Sequence, residues 1–256
     1  MILAIDVGNT QIVIGCIDNG ELSHVVRLST NAVKTADEYA VAICNILGFH
    51  SISRANIKGA IISCVVPPLT AVLKDAVRLL TGVNALIVGA GVKTGMNILI
   101  DDPAQLGSDM VATAVGALAS YQLPIIIVDL GTATKMFVLD KNGGFIGGAI
   151  LPGVALSMNA LAAGTAQLPD VPLEAPAKCI SANTVDCMKS GAVFGAASAI
   201  DGMVERFEAQ LGIPAQIIAT GGLAETVYHH CKRDIIHDPH LILRGLGIIY
   251  EKNKKK

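Results

Sequence analysis

The chain opens on an apolar run interrupted by one carboxylate, ILAIDV, followed after Gly8-Asn9-Thr10 by a second run, QIVIGCID, and the pair Asn19-Gly20. The same pattern returns mid-chain as IIIVDL, Gly131-Thr132-Ala133, TKMFVLD and Asn142-Gly143. The two segments superimpose without a gap, Asp6 on Asp129. Each reads as a buried strand, a tight D-x-G turn and a second strand. Asn-Gly after β-rich residues is a hairpin signal, so each copy is expected to continue into a third strand. Self-similarity of this kind points to a duplicated domain.

Between the copies, Thr35 to Leu47 predicts a helix with Asp37 and Glu38 in its first turn, and IKGAIISCVV a buried strand ended by Pro67-Pro68. Leu69 to Leu80 predicts a second helix, NALIVG another strand and Gly107 to Ser120 a third helix. Beyond the second copy, Ala155 to Ala163, Asn183 to Leu211 and Ala224 to His230 predict helices, with AQIIAT a strand. Strands alternating with helices make an α/β fold. The boundary is expected near Tyr121, with an N-terminal α/β domain over residues 1–120 and a C-terminal one over 121–256.

Composition narrows the classes. Of 256 residues 52% are hydrophobic and 16% charged, which excludes intrinsic disorder for nearly all of the chain. The uncharged stretches Val111 to Val128 and Gly143 to Pro169 have the length of a membrane span, but Tyr121-Gln122 and Pro124 split the first and Gly147-Gly148, Pro152-Gly153, Asn159 and Gly164 the second. No membrane span is expected. With 19 basic and 21 acidic residues the net charge is −2, which argues against nucleic-acid binding by phosphate neutralisation. The six cysteines form no C-x-x-C pair and the start lacks a basic leader, so a cytoplasmic protein with reduced thiols is expected.

A pair of D-x-G turns, one per copy, suits a phosphate-binding site. Glycine lets the backbone turn tightly and aim amides at phosphate oxygens, a hydroxyl adds a donor, and a carboxylate at the strand end can hold hydrated Mg²⁺. Asp6, Gly8, Asn9 and Thr10 form the first turn, and Asp129, Gly131, Thr132 and Thr134 the second; a lone D-x-G equally suits an ordinary hairpin. A third turn, Thr220-Gly221-Gly222-Leu223-Ala224, follows AQIIAT and either lets a base or ribose approach the backbone or is a plain strand-to-helix turn. Asp109, at the start of an apolar helix after Gly107-Ser108, is either a helix cap or a proton acceptor for phosphoryl transfer.

These residues sit within a longer series: DVGNT at the start, SCVVPPL at 63–69, LGSD at 106–109, DLGTAT at 129–134, GGAILPG at 147–153, Asn183-Thr184 with Ser190-Gly191 beyond, and TGGLA at 220–224. In this order they resemble type III pantothenate kinase. The resemblance implies two duplicated actin-like, ribonuclease H-like α/β domains with an interdomain nucleotide cleft, and a homodimer. It also implies ATP-dependent phosphorylation of pantothenate, the first step of coenzyme A synthesis, with Mg²⁺ and a monovalent cation, K⁺ or NH₄⁺.

Position by position, the resemblance assigns ATP binding to Asp6, Val7, Gly8, Asn9, Thr10, Gln11, Ile12, Val13 and Thr132, beside Gly221 and Gly222 of the third turn. Asp6 would hold Mg²⁺ through water, Asp129 the monovalent cation. Asp109 corresponds to the general base, Gly107 and Ser108 to the loop holding pantothenate, and Thr184 to a substrate contact from the other subunit. Two positions depart from the family pattern. Met110 stands where its arginine is usual and Ile100 where its tyrosine is usual. Arginine offers a carboxylate a planar charged fork and methionine does not, which raises two alternatives: a same-fold kinase for another small hydroxylated acceptor, or a non-catalytic nucleotide-binding paralogue acting as a regulatory factor. His229, His230, Cys231, His237 and His240 match no structural zinc spacing, and Lys135 is read as a flank of the second turn.

Overall fold

The first apolar run forms strand β1 (Ile2–Val7), antiparallel to β2 (Gln11–Asp18), which turns at Asn19-Gly20 into β3 (Glu21–Ser29). Both turn residues have positive φ, 49° and 87°, the mirror-image turn whose twist matches a hairpin. On its other side β1 pairs in parallel with β4 (Gly59–Cys64), and β4 with β5 (Leu86–Ile87), giving the order β3-β2-β1-β4-β5. The second copy repeats the plan. Strands β6 (Ile125–Leu130), β7 (Ala133–Leu139) and β8 (Phe145–Pro152) run antiparallel, while β9 (Gln216–Thr220) joins β6 in parallel and β10 (Ile236–His237) joins β9. Read from its meander, this sheet runs β8-β7-β6-β9-β10, the same order and pairing sense as the first. This computed structural model describes residues 1–254; the sequence ends in KNKKK, which reads as a solvated, frayed terminus, and the last two residues of that run lie outside the described residues.

Register corrects the gapless superposition. Asp6 pairs with Val13 and Val7 with Ile12, whereas Asp129 pairs with Lys135 and Leu130 with Thr134. The second turn is one residue shorter: Gly131 N donates to Ala133 O, where Gly8 N donates to Gln11 O in the first. Lys135, rather than Met136, therefore stands across from the strand-end aspartate. The second Asn-Gly pair also differs, lying in a longer loop in which Asp140 Oδ1 accepts from the amides of Asn142 and Gly144.

Helices α1 (Ala36–Phe49) and α2 (Pro67–Thr81) pack together and cover the β1 face that carries Leu3, Ile5 and Val7. Pro67-Pro68 opens α2 rather than merely ending the strand, because fixed φ and a missing N–H suit the first helical turn. α3 (Ser108–Ser120), α4 (Val154–Gly164), α5 (Thr184–Leu211) and the short α6 (Ala224–Tyr228) follow the predicted spans closely. A final helix, α7 (Leu241–Asn253), was not predicted. Among the described residues no helix is long and apolar enough to cross a membrane.

The chain divides into two compact units. Unit 1 comprises 1–96, 101–119 and the C-terminal segment from Leu241; unit 2 comprises Asn97–Ile100 and Ser120–His240. A single cut after residue 120 misses both excursions. Alternate residues of a strand point to opposite faces, so Ala4 and Ile61 need cover on the side away from α1 and α2. Helix α7 packs on β1, β2 and β4 and buries Leu241, Leu243, Leu246 and Ile249. It crosses α3 at Gly116 and Gly245, where an added Cβ would strike the facing backbone. Segment Asn97–Ile100 instead joins unit 2 through a bridge of Ile98 to Phe145. Unit 2 has its own core, built from β6, β7, β9 and the inner face of α5 with Ala197, Ile200 and Val204.

Candidate functional site

In unit 1 the candidate residues gather at the C-terminal ends of β1 and β4. Asp6 alternates with Ile5 and Val7, which places it on the face away from α1 and α2, and its register partner in β4 is the fully buried Ser63. Ser63 Oγ lies 3.1 Å from Ser108 Oγ, which also accepts from Cys64 N at 3.1 Å. The first residue of α3 is thereby fastened to the end of β4. Asp109, next in sequence and half-buried, takes up the first helical turn; its Oδ1 accepts from Met110 N at 2.8 Å and its backbone oxygen accepts from the Thr113 hydroxyl at 2.8 Å. A carboxylate there is favoured by the positive end of the helix dipole, so Asp109 sits where a helix cap would.

The first glycine turn is closed by Gly8 N to Gln11 O at 3.0 Å and clamped from β3's end. Thr30 Oγ1 donates to Gly8 O at 2.7 Å and Thr30 N to Thr10 O at 3.0 Å. Val7 and Ile12 lie fully in the core, Val13 is half-buried, and Asn9, Thr10 and Gln11 are exposed. Of the stretch Asp6 to Val13, then, Val7 and Ile12 can meet a ligand only through backbone. Met110 lies half-buried on α3.

In unit 2, Asp129 and Lys135 face one another across β6 and β7, with Lys135 Nζ 2.8 Å from Asp129 Oδ2 and both side chains less than one-fifth exposed. On the other side Asp129 pairs in register with Thr220, which is buried. Gly221 follows at φ 93°, and an added Cβ there would lie 2.6 Å from Asp129 Oδ1, so only glycine lets the third turn close over this carboxylate. Thr132 is exposed at the tip of the second turn, and Gly153 packs against its carbonyl so closely that a Cβ would collide with it. Gly222 is exposed. Thr184 is exposed at the first position of α5, whose cap Asn183 accepts from Asp186 N at 2.9 Å, and half-buried Ile100 closes the segment bridged to β8.

The structure thus brings Asp6, the first turn and Gly107–Met110 together in unit 1, and Asp129, Thr132, Gly221 and Gly222 together in unit 2. Thr184 and Ile100 belong to other parts of unit 2. Ser63 and Thr30, which anchor the first cluster, escaped sequence reasoning, though Ser63 opens the SCVVPPL motif. His229 and His237 pack on the Tyr228 ring, and His230 meets Phe194 edge-on. Burial pulls the His237 pKa below its ordinary value. Among the described residues no three His, Cys, Asp or Glu side chains are placed to hold a metal. A groove of about 720 Å³ between the Asn19-Gly20 hairpin and α7 lies at the opposite end of β1 and contains none of the candidate residues.

The family model for type III pantothenate kinase matches residues 2–206. A type III pantothenate kinase of Exiguobacterium sp. is 40% identical over 255 residues, covering 100% of both chains. One of Geobacillus sp. is 41% identical over 256 residues, covering 100% of this chain and 99% of its own. Among solved structures, component A of (R)-2-hydroxyglutaryl-CoA dehydratase from Acidaminococcus fermentans superimposes with a TM-score of 0.55 at 13% identity, covering 99% of each chain, a likeness of fold alone. That likeness and the repeated five-stranded sheets make the fold the duplicated actin-like α/β class. With full-length identity at this level and a family match over most of its length, the chain belongs to the type III pantothenate kinase family.

Proposed function

We propose that the chain transfers the γ-phosphoryl group of ATP to the primary hydroxyl of pantothenate, giving 4′-phosphopantothenate and ADP for coenzyme A synthesis. The observation that carries the reading is the fastening of α3 by Ser108 to Ser63 and Cys64, which holds Asp109 in unit 1 with Asp6 and the first glycine turn. Amides of Asn9 to Gln11, in the turn that Gly8 N closes, and the hydroxyl of Thr10 receive phosphate oxygens, and Thr132, Gly221 and Gly222 contribute further nucleotide contacts. Gly107 and Ser108 position the acceptor. Asp109 takes the hydroxyl proton as the new O–P bond forms and the bond to ADP breaks, the in-line transfer that positioning and charge stabilisation favour.

Asp6 at a strand end beside backbone amides fits Mg²⁺, which keeps several waters and binds through one or two carboxylates plus substrate phosphates. Bound there through water, Mg²⁺ would neutralise phosphate charge. The monovalent cation that the resemblance assigns to Asp129 does not fit in the same way, because Lys135 already places an ammonium 2.8 Å from that carboxylate. No step is routed through such an ion.

A homodimer in which Thr184 reaches the partner's acceptor accords with the exposure of Thr184 and of the apolar Ile150, Leu156, Leu161, Ile180 and Val185 on the same unit. The six cysteines are all free thiols, as a cytoplasmic location for this reaction requires. Met110 favours a second reading, a same-fold kinase for an acceptor without a carboxylate, since its thioether offers an anion no charged fork.

One assay tests both readings. Mass-spectrometric detection of phosphorylated product from ATP, Mg²⁺ and a panel of hydroxylated acceptors should find 4′-phosphopantothenate. Asp109→Asn should lower turnover by about a hundredfold or more, the scale of general-base catalysis, while ATP still binds. Full activity of Asp109→Asn would remove Asp109 from the mechanism. Product only from a different alcohol would select the second reading.

A further inference from the structure

The two halves of the molecule repeat one plan and differ at the end of its first strand. At the end of β1, Asp6 faces Val13; at the end of β6, Asp129 faces Lys135. The shorter second turn creates this pairing, and the pair is enclosed. Lys135 and Asp129 side chains are 19% and 18% exposed, Nζ sits 2.8 Å from Oδ2, Gly221 closes over Oδ1, and buried Thr220 flanks the carboxylate on β9. An exposed ion pair on a flexible stem contributes little. One between paired strands, with both side chains less than one-fifth exposed, places a positive charge at a set point.

We infer that the Lys135 ammonium is this protein's built-in monovalent cation, so that its activity and nucleotide binding need neither K⁺ nor NH₄⁺. This rests on the reading of Asp129 as the cation-bearing carboxylate of the nucleotide site. The chemistry is direct. A primary ammonium is an alkylated NH₄⁺ with the same charge and tetrahedral donors, and its 2.8 Å separation from the carboxylate is that of a charge-assisted contact. An additional free cation at Oδ2 would have to displace the lysine against like-charge repulsion. Tethering removes the entropy cost of capturing an ion from solution, and it removes the response to salt that a captured ion brings.

The test compares the full-length wild type with Lys135→Met, which keeps the apolar stem and loses the charge, and Lys135→Arg, which keeps the charge. Each is assayed at constant ionic strength in KCl, NH₄Cl or choline chloride. Acceptor-dependent turnover is measured together with ATP affinity by titration calorimetry, and circular dichroism checks folding. The wild type and Lys135→Arg should change less than about twofold between salts. Lys135→Met should lose about tenfold or more in choline, in ATP affinity as well as turnover, the loss a charge-assisted contact carries, and should regain it in KCl or NH₄Cl.

A wild type that needs K⁺ or NH₄⁺ overturns the inference, as does a folded Lys135→Met equally active and equally tight in every salt. If Lys135→Met does not fold, a Lys135→Arg that becomes salt-dependent overturns it and one that stays independent supports it. The kinase reading fails separately, by absence of product from the wild type in any salt. Calorimetry then still decides the role of Lys135, and a wild type that binds no ATP in any salt overturns both.

Discussion

Two cysteines are held where a thiolate is disfavoured. Burial in unit 1 pushes the Cys16 thiol up to about 11, and burial together with the Asp201 carboxylate pushes Cys231 up to about 12. Since the thiolate is the nucleophile, two and three units above an ordinary thiol reduce the reactive fraction about a hundredfold and a thousandfold at neutral pH. Both residues should label with iodoacetamide much more slowly in the native protein than in urea, as read by mass spectrometry of the labelled peptides. Equal labelling in both conditions would show that neither site is closed. The same scale exposes where residue reading stops. Asp109 was visible as a carboxylate opening an apolar helix, with capping and catalysis as alternatives, and the structure sets it in the first turn of α3, beside the Ser108 that is fastened to β4. Lys135 passed as a flank because its partner depends on the length of the turn between β6 and β7, a register fact that no pattern of apolar residues carries.

Local signals located most elements because each carried its own terminator. Helix α1 is the clearest: Thr35 Oγ1 accepts from Glu38 N while Glu38 Oε2 accepts from Thr35 N at 2.8 Å, a reciprocal capping box. Thr35→Ala should cost about 1 kcal/mol in urea unfolding at neutral pH. The Thr35 backbone and hydroxyl donors hold the Glu38 carboxyl below its ordinary value. A lowered carboxyl contributes stability that is complete above the unfolded-state pKa and is lost as pH falls through the folded one. The gap between wild type and Thr35→Ala should therefore narrow below about pH 4, and a constant gap across that range would separate the cap from the carboxylate. Elements without such signals were missed. Strand β10 is only Ile236–His237 and takes its existence from pairing with β9. Helix α7 contains Gly245 and Gly247, poor helix formers. Those glycines serve contacts with α3 and with Ile17 of β2, remote in sequence, so the helix is stabilised by packing that only the folded molecule supplies.

At the scale of the molecule, α7 means that unit 1 cannot be completed until the last segment of the chain is in place. Sheet β3-β2-β1-β4-β5 has α1 and α2 on one face, while Leu241, Leu243, Leu246 and Ile249, all fully buried, come from the C-terminal helix that packs on β1, β2 and β4. Burying four such side chains is worth up to ~6–12 kcal/mol at ~1.5–3 kcal/mol each, an upper estimate because the unfolded chain is partly compact. That is comparable with the whole ~5–15 kcal/mol by which a native protein is stable. A chain ending at His240 should therefore lose the fold of unit 1 rather than merely soften it. Unit 2 should keep its own core of Ile126, Val128, Leu130, Ile200 and Val204, a cluster that includes no residue of α7. Hydrogen exchange read by mass spectrometry separates the outcomes, with amides of β1 and β4 exchanging near the unprotected rate while those of β6 and β9 stay protected. Protection retained across β1 and β4 would mean that α1 and α2 alone sustain the first sheet. Loss in both sheets would mean that the two units fold as one.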